Sequence, residues 1–246
     1  MSLVLTRENV LVVVPALNEE LSLGPVLDNL RSQAFQVLVV NDGSTDGTVS
    51  VARRHAVMVL DLPYNMGVGG ALRAGFQVAV DTGFQAVVQV DADGQHPADS
   101  IDRLIDEANS SGAHLVIGSR FRSDDTTMGV ATTRRLVMRV LAWSASRATR
   151  TEITDSSSGF RLIQEPLLRQ FSQSFSANYL GDTYEALISA GRAGYVVREV
   201  PAAMKERVVG VSSASVTQSI QFTLKSLTVA LLRLHARVEF HQAPKP

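Results

Sequence analysis

Two carboxylates placed one residue apart carry the most informative chemistry in this sequence. Asp91 and Asp93 directly follow residues 86–90, whose continuous apolar character predicts a buried strand. Because neighbouring carboxylates repel, a divalent cation such as Mg²⁺ or Mn²⁺ would offset the repulsion, and such a cation also binds phosphate oxygens. Asp91, Asp93 and Gln95 are therefore candidate metal ligands in a site for a nucleoside diphosphate. Taken alone, the pair is better explained as a cap for a helix beginning near Pro97.

The elements that would position these groups alternate along the first half of the chain. Continuous apolar runs predict buried strands, and segments with apolar residues at helical spacing separate them. This alternation predicts an α/β fold with a mostly parallel sheet and helices on both faces, in which ligands lie at the carboxyl ends of strands. Strands are predicted over residues 10–14, 37–40, 57–60, 86–90 and 114–117, and helices over 19–32, 46–55, 69–80 and 97–109.

Polar loops follow the first two predicted strands. After the first, Pro15 ends the strand and Asn18 can cap the next helix. Backbone groups there can contact a base or ribose, although a plain turn explains this loop about as well. The second loop, residues 41–48, places Asp42 at the strand tip, where its carboxylate could accept hydrogen bonds from a base N–H. Residues 44–46 can cap the helix that follows.

A glycine-rich loop follows the third predicted strand. It contains Asn65, Gly67 and Gly70, and glycines before a helix let backbone N–H groups approach a phosphate. Leu72 stands where a dinucleotide-binding loop needs a small residue, and no Gly-Lys-Ser/Thr occurs in the sequence. A dinucleotide fingerprint and a Walker loop are therefore both excluded. Arg73, one helical turn further on, could reach a phosphate or could be an ordinary solvated arginine.

Composition restricts the class of protein. The chain of 246 residues has a net charge of −1 and no cysteine, so it shows no sign of a nucleic-acid partner and has neither disulfides nor thiolate metal sites. The first residues lack a signal-peptide pattern, and no apolar stretch approaches the roughly 20 residues that span a bilayer. We therefore expect a cytoplasmic protein with a single domain over residues 1–240 and at most peripheral membrane contact.

The second half of the chain is richer in arginine. Residues 120–150 contain seven arginines and two acidic residues, together with an apolar stripe that predicts a helix, either lying on anionic lipid or packed on the domain. The stripe consists of Leu136, Val137, Val140, Leu141 and Trp143. Residues 182–192 predict a helix and 196–200 a strand. Residues 216–238 predict a long amphipathic helix packed on the domain, in a homodimer or on the membrane, and 241–246 a disordered tail.

These motifs occur together in an order and spacing that resembles glycosyltransferase family 2, the nucleotide-sugar transferases with a GT-A fold. The resemblance is closest to the dolichol-phosphate mannosyltransferase-like branch, which glycosylates polyprenyl phosphates, and it covers about residues 9–215. Each motif alone is unspecific, but their joint occurrence is specific. Ser213 stands where this branch usually has lysine, which leaves the sugar open. The matching segments are residues 15–20, 41–48, 65–73, 91–97, 118–121, 155–161, 199–201 and 207–212.

The resemblance implies metal-dependent, inverting sugar transfer from a nucleoside-diphosphate sugar, with GDP or UDP as the expected carrier. A nucleotide-binding half (about 9–120) and an acceptor half (about 121–215) would form one GT-A domain. Asp42 would bind the base, and the metal ligands would hold the diphosphate. The implied nucleotide-sugar contacts are Pro15, Ala16, Asn18, Glu19, Asp42, Asn65, Gly67, Gly70, Arg73, Asp91, Ala92 and Asp93. The candidate catalytic residues are Asp93, Arg120, Arg161, Asp182 and Arg207, of which the three arginines would line the donor sugar, its phosphates or the acceptor phosphate.

The acceptor is the main alternative that the sequence leaves open. A polyprenyl phosphate at the cytoplasmic membrane face already carries an anionic oxygen and needs no general base; peripheral contact or a small membrane-protein partner would bring the protein there. A hydroxyl acceptor on a glycan or lipid-linked sugar needs a base, for which Asp182 and Glu185 are candidates. Both acids are explained at least as well as solvated or capping residues. A catalytically silent module that recruits a membrane partner is a more remote alternative.

Overall fold

A seven-stranded sheet forms the centre of the structure, a computed structural model that describes residues 4–121, 132–175 and 182–203. Its strands are β1 (Val10–Ala16), β2 (Gln36–Asn41), β3 (Met58–Asp61), β4 (Ala86–Gln89), β5 (Leu115–Ser119), β6 (Arg161–Gln164) and β7 (Val197–Pro201). They lie in the order β3-β2-β1-β4-β6-β5-β7. Neighbouring strands are parallel except in the two pairs that involve β6.

This topology brings six strand ends and one strand start to the same edge of the sheet, which we call the carboxyl edge. β6 runs against its neighbours, and Arg161 at its start pairs in register with Gln89 of β4 and Ile117 of β5. The segment just before β6 therefore lies between the loops that follow β4 and β5. In α/β sheets, ligands bind at this edge.

Helices cover both faces of the sheet. They are α1 (Leu23–Ser32), α2 (Thr48–Arg54), α3 (Val68–Asp81), α4 (Ile101–Ser111, after a 3₁₀ turn over Ala98–Ser100), α5 (Thr132–Thr149), α6 (Leu167–Ser174) and α7 (Asp182–Arg192). Alternate residues of β1 point to opposite faces. Val12 packs in the core beneath α1, α2 and α4, and Val13 packs in the core beneath α3, α5, α6 and α7. Each fully buried side chain of this kind contributes about 1.5–3 kcal/mol.

The strands and helices predicted for the first half are confirmed, with shifts at their ends. The largest shifts are at the starts of α1 and α4, which begin at Leu23 and Ile101 rather than at residues 19 and 97. Just before α1, backbone N–H groups bond to the segment around the start of α2. Glu19 N–H donates to Thr48 Oγ1, and Glu20 N–H donates to Asp46 Oδ2. The helix over 182–192 and the strand near 196–200 are also confirmed.

Two elements of the second half, β6 and α6, were not predicted. β6 has only four residues, and its sequence, Arg-Leu-Ile-Gln, does not show the alternation of polar and apolar residues that is typical of a half-buried strand. α6 did carry a signal, since Pro166 stands just before apolar residues at helical spacing. The expectations for Arg207, Ser213, the helix over 216–238 and the tail lie outside the described residues. Among the described residues, no helix combines the length and apolar character needed to cross a bilayer.

Candidate active site

The loops after β1 and β2 are tied to each other at the carboxyl edge. Asn18, in a left-handed conformation at φ 56°, donates its N–H to Ser44 Oγ over 2.9 Å. Its side-chain Oδ1 accepts the Thr45 N–H, also at 2.9 Å. Asn18 is therefore not the cap of α1 that the sequence suggested, because its carboxamide is used between the loops. Glu20 adds a second tie by accepting the Gly47 N–H at 3.0 Å.

Asp42 ties the second loop to the glycine-rich loop. Its side chain is 3 % exposed, and Oδ1 accepts the Met66 N–H at 2.7 Å. Asn65 Oδ1 accepts the Gly67 N–H at 2.8 Å, and Gly67 has φ 80°, a conformation that favours glycine. Pro15 and Ala16 end β1 beside this cluster. The structure thus assembles the three loops around Asp42, whose contact with a base stays a prediction.

Gly70 and Arg73 lie on α3, the helix that follows the glycine-rich loop. Both line a cavity of about 450 Å³ between α3 and α6, and Arg73 is exposed there. Gly70 is in the first turn of α3, where backbone N–H groups lack intrahelical partners. The approach of this helix end to a phosphate stays a prediction.

The two carboxylates of the acidic loop after β4 differ in their exposure to solvent. The Asp91 side chain is 41 % exposed, whereas Asp93 is 8 % exposed and Ala92 between them is 4 % exposed. Asp93 Oδ1 accepts the Gln95 N–H at 3.0 Å, so it bonds within its own loop, eight residues before α4 begins at Ile101. The capping explanation therefore does not account for Asp93. Asp93 is therefore buried in the wall of the site, whereas the carboxylate of Asp91 reaches its surface.

His96 is the functional-site residue that sequence reasoning missed. With no second histidine near it, the sequence alone predicts a plain loop residue at this position. Its side chain is 6 % exposed, and Nδ1 accepts the Asp91 N–H at 2.9 Å. Nε2 lies 3.5 Å from Asp91 Oδ2. A contact five residues along a loop has no periodic signature, so the sequence offered no signal for it.

Arg120 faces the acidic loop from the end of β5. Its Nε and Nη2 donate to Asp155 Oδ2 and Oδ1 at 2.7 and 2.9 Å, a bidentate pair, and Nη2 also donates to Ser157 Oγ. The hydrogen bond to Asp155 raises the pKa of Arg120 above its usual value, and the charge of Asp91 adds to this. Burial alone would raise the pKa of Asp155, but the hydrogen bond and charge of Arg120 hold it below its usual range. Arg120 is thus a fixed cation within the electrostatic field of Asp91.

Glu199 of β7 supports this ion pair from behind. Its side chain is 6 % exposed, Oε1 accepts the Asp155 N–H at 2.8 Å, and Oε2 accepts the Thr154 hydroxyl at 2.9 Å. Thr154 Oγ1 in turn lies 2.8 Å from Ser119 Oγ at the end of β5. The carboxylate of Glu199 therefore fixes the backbone on which Asp155 stands.

Arg161 is buried at the start of β6, where it is 3 % exposed. Its guanidinium donates to the carbonyl oxygens of Ser158, Thr183 and Ser156 at 2.6, 2.7 and 3.1 Å. These bonds join the segment before β6 to the first turn of α7. The predicted contact of Arg161 with a sugar or phosphate stays a prediction, and what the structure describes is an arginine that organises the backbone around the site.

Comparisons with known proteins identify the family of this chain. The family model described as "Glycosyl transferase family 2" matches residues 11–171, more than half of the chain. The chain belongs to glycosyltransferase family 2. The polyprenol monophosphomannose synthase of Mycolicibacterium smegmatis is 33 % identical over 85 % of this chain and 82 % of its own length. The undecaprenyl-phosphate mannosyltransferase of Micrococcus luteus is 31 % identical over 84 % of this chain and 87 % of its own length.

A solved structure identifies the fold of this glycosyltransferase. Glucosyl-3-phosphoglycerate synthase from Mycobacterium tuberculosis, in complex with Mn²⁺, UDP-glucose and phosphoglyceric acid, superposes with a TM-score of 0.68. The match covers 94 % of this chain and 81 % of the synthase chain, at 20 % sequence identity. The predicted GT-A fold is confirmed.

The acidic loop of this glycosyltransferase fits a hard divalent cation. Asp91 and Asp93 offer carboxylate oxygens and Gln95 an amide, which are donors that Mg²⁺ and Mn²⁺ accept. In the described part of the chain, no three His, Cys, Asp or Glu side chains converge in a way that could hold a metal. Two carboxylates suit Mg²⁺ in particular, because that ion is commonly bound through one or two carboxylates together with substrate phosphates.

The two candidate general bases, Asp182 and Glu185, lie in the first turn of α7. Asp182 begins α7, and Glu185 is half-buried. Arg161 bonds to the carbonyl of Thr183 in this first turn, so the start of α7 is held close to the segment before β6. Either acid could serve a hydroxyl acceptor, and that role stays a prediction for both.

Proposed function

We propose that this glycosyltransferase moves a sugar, with inversion, from a nucleoside-diphosphate sugar to a polyprenyl phosphate at the cytoplasmic face of a membrane. The observation that carries the proposal is Arg120, a cation fixed by Asp155 and within the electrostatic field of the half-exposed carboxylate of Asp91. Together they frame a position for a diphosphate between an acidic, metal-compatible loop and a guanidinium. Two relatives that match more than four-fifths of this chain are named for transfer to polyprenyl phosphates, which supports the choice of acceptor.

The chemistry follows from the charge that develops on the leaving group. The acceptor oxygen attacks the anomeric carbon from the face opposite the diphosphate, so the new C–O bond forms as the bond to the diphosphate oxygen breaks. A bound divalent cation supplies neutralisation of the departing diphosphate. Arg120 faces the same charge and is held in place by Asp155, so little reorganisation is needed as that charge grows. A phosphate acceptor is already anionic and requires no general base.

The donor half of the proposal predicts metal-dependent nucleotide binding. UDP, GDP, CDP and dTDP would each be added with and without Mn²⁺, and the melting temperature followed. One nucleotide should raise it by roughly 5–10 °C at 100 times its Kd, and only with the metal. The Asp93→Ala variant should lose that rise. The absence of a shift with every nucleotide, in the wild type and variant alike, would rule out the transferase site.

The membrane half of the proposal rests on the outer face of α5. Leu141 and Ala145 pack into the core, whereas Trp143 is 63 % exposed and Val140 38 % exposed. Arg139, Arg147 and Arg150 are exposed beside them. Basic side chains around an exposed tryptophan suit a helix lying on anionic lipid, with the indole at the level of the headgroups. The helix thus has one packed face and one face that we assign to the membrane.

Trp143→Ser should weaken binding to vesicles rich in phosphatidylglycerol by about 10-fold or more, because burying a large apolar side chain contributes about 1.5–3 kcal/mol. Co-sedimentation with such vesicles, and with neutral phosphatidylcholine vesicles, measures the effect. Val4→Ser is the control, since Val4 is 66 % exposed and its neighbour Leu5 packs on the face of the sheet opposite the one that α5 covers. Equal binding by the two variants would remove α5 from the proposal.

A further inference from the structure

The imidazole of His96 is built against the carboxylate that the proposed function uses. The residue lies five positions after Asp91, and both of its ring nitrogens face that residue. Nδ1 is 2.9 Å from the Asp91 backbone nitrogen, and Nε2 is 3.5 Å from Asp91 Oδ2. One side chain therefore contacts both the backbone and the carboxylate of the same aspartate.

The backbone contact fixes the tautomer of the ring. An amide N–H can only donate, so Nδ1 of His96 must accept, and the ring proton resides on Nε2. That N–H is the group that faces Asp91 Oδ2. Nδ1 is occupied by the Asp91 N–H and Nε2 carries the ring proton, so neither nitrogen is available to bind a metal, and His96 can act only on the position of the carboxylate 3.5 Å from Nε2.

Packing holds the ring in this position. The His96 side chain is 6 % exposed, and its ring centre lies 5.2 Å from that of Phe160, which is fully buried. On its other side, the Asp91 carboxylate meets the backbone of Gly159. A Cβ added to Gly159 would come within 3.3 Å of Asp91 Oδ2 and 3.4 Å of Oδ1, a tight contact that would displace the carboxylate by a few tenths of an ångström. Asp91 is thus confined between an imidazole and a glycine.

We propose that His96 is a positioning residue that aims the Asp91 carboxylate at the metal and diphosphate of the donor. This inference rests on the proposed function. Partners that hydrogen-bond to ligating carboxylates fix the orientation of the ligand, and their loss typically weakens metal binding by 10–100-fold. His96 acts through Asp91 alone, so its contribution should vanish when Asp91 can no longer bind a metal.

Two substitutions separate the contacts of the ring. In His96→Asn, the amide oxygen can take the place of Nδ1 and keep the Asp91 N–H bond, but the side chain is too short to reach the carboxylate. In His96→Gln, the amide N–H can take the place of Nε2–H. A third variant, His96→Phe, keeps the ring against Phe160 and removes both polar contacts. The measurement is Mn²⁺ affinity by electron paramagnetic resonance of free Mn²⁺ at a saturating concentration of the nucleoside diphosphate that binds the wild type, with the melting temperature taken in parallel.

His96→Asn should bind Mn²⁺ about 10–100-fold more weakly than the wild type while melting close to it. His96→Gln should recover part of the affinity, and His96→Phe should match His96→Asn. The double variant His96→Asn/Asp91→Asn should bind no more weakly than Asp91→Asn alone, because the two residues form one unit. If His96→Asn does not fold, His96→Phe decides the outcome.

Wild-type affinity in folded His96→Asn or His96→Phe would overturn the inference and leave the proposed function standing. Additive losses in the double variant would also overturn it, since His96 would then act independently of Asp91. A wild-type protein that binds no Mn²⁺ with any nucleoside diphosphate would instead overturn the proposed function, and the inference with it.

Discussion

Asp93→Asn is expected to lower the turnover of sugar transfer by about 100–1,000-fold, because it would weaken the binding of the cation that neutralises the departing diphosphate, and losing one source of such stabilisation typically has an effect of this size. Asparagine keeps a side-chain oxygen that can accept the Gln95 N–H, so the loop should keep its shape. What the substitution removes is the negative charge of a side chain that is 8 % exposed in the wall of the site. The loss should therefore fall on catalysis and metal binding and leave folding largely unchanged.

Steady-state kinetics across a range of Mn²⁺ concentrations measures this effect, with circular dichroism to check the fold. Asp106→Asn is the matched control, because Asp106 is an exposed carboxylate on α4 and its neutralisation should leave turnover unchanged. An Asp93→Asn protein with wild-type turnover and a wild-type metal requirement would show that the acidic pair is structural.

Asp155→Asn should both destabilise the protein, by about 1–3 kcal/mol, and reduce transfer. The Asp155 side chain is fully buried, and its two oxygens accept two hydrogen bonds from the guanidinium of Arg120 and one from the Arg120 backbone N–H. Asparagine turns one of these acceptors into an N–H donor that opposes a guanidinium donor. Since the Arg120 side chain is 42 % exposed, water compensates part of the lost pairing. Arg120 would then lose the fixed position that makes it useful against a developing charge.

The pH dependence of stability gives this prediction a second readout. Interaction with Arg120 holds the pKa of Asp155 below its usual range, despite the opposing effect of burial. The folded state therefore favours the ionised form. Its stabilisation is complete above the ordinary pKa of an aspartate and is lost as the pH falls through the lowered value. In Asp155→Asn this acid-side loss should be smaller, as urea unfolding at several pH values would show.

Glu165→Gln is the control for the loss of charge alone. Glu165 pairs with Arg169 one helical turn away, and the arginine side chain is 62 % exposed, so the pair should contribute about 0.3–0.5 kcal/mol. If Asp155→Asn unfolds no more easily than Glu165→Gln and keeps wild-type turnover, the ion pair of Arg120 does not organise the site.

The sequence was sufficient for the half of the fold in which each strand is a continuous apolar run. β1, β2 and β4 are buried on both faces, and strands of this kind can be predicted from their continuous apolar sequence. β6 was missed because its direction is reversed and its first residue is arginine. Nothing local indicates that Arg161 is buried, since its compensation comes from backbone carbonyls, one of them 22 residues away.

The sequence predicts where the candidate site lies but not which residues hydrogen-bond to one another within it. The rule that ligands lie at carboxyl ends of strands predicts that Asp42 and Asp91 lie at one edge of the sheet, and the family resemblance adds Arg120. The partners of these residues come from distant parts of the chain. Asp42 bonds to Met66 across 24 positions, and Glu199 bonds to Asp155 across 44. Such contacts depend on how the loops pack together, and a single sequence carries no periodic signal for them.

The central claim, transfer to a phosphate on a polyprenyl chain, is tested most directly with two acceptors that differ only in that phosphate. The protein would be incubated with Mn²⁺ and a panel of UDP- and GDP-sugars, with either undecaprenyl phosphate or undecaprenol, and the lipids analysed by mass spectrometry. The account predicts a glycosylated undecaprenyl phosphate with one donor and no product from undecaprenol. Sugar transferred to undecaprenol or to another hydroxyl acceptor, with none on undecaprenyl phosphate, would contradict it.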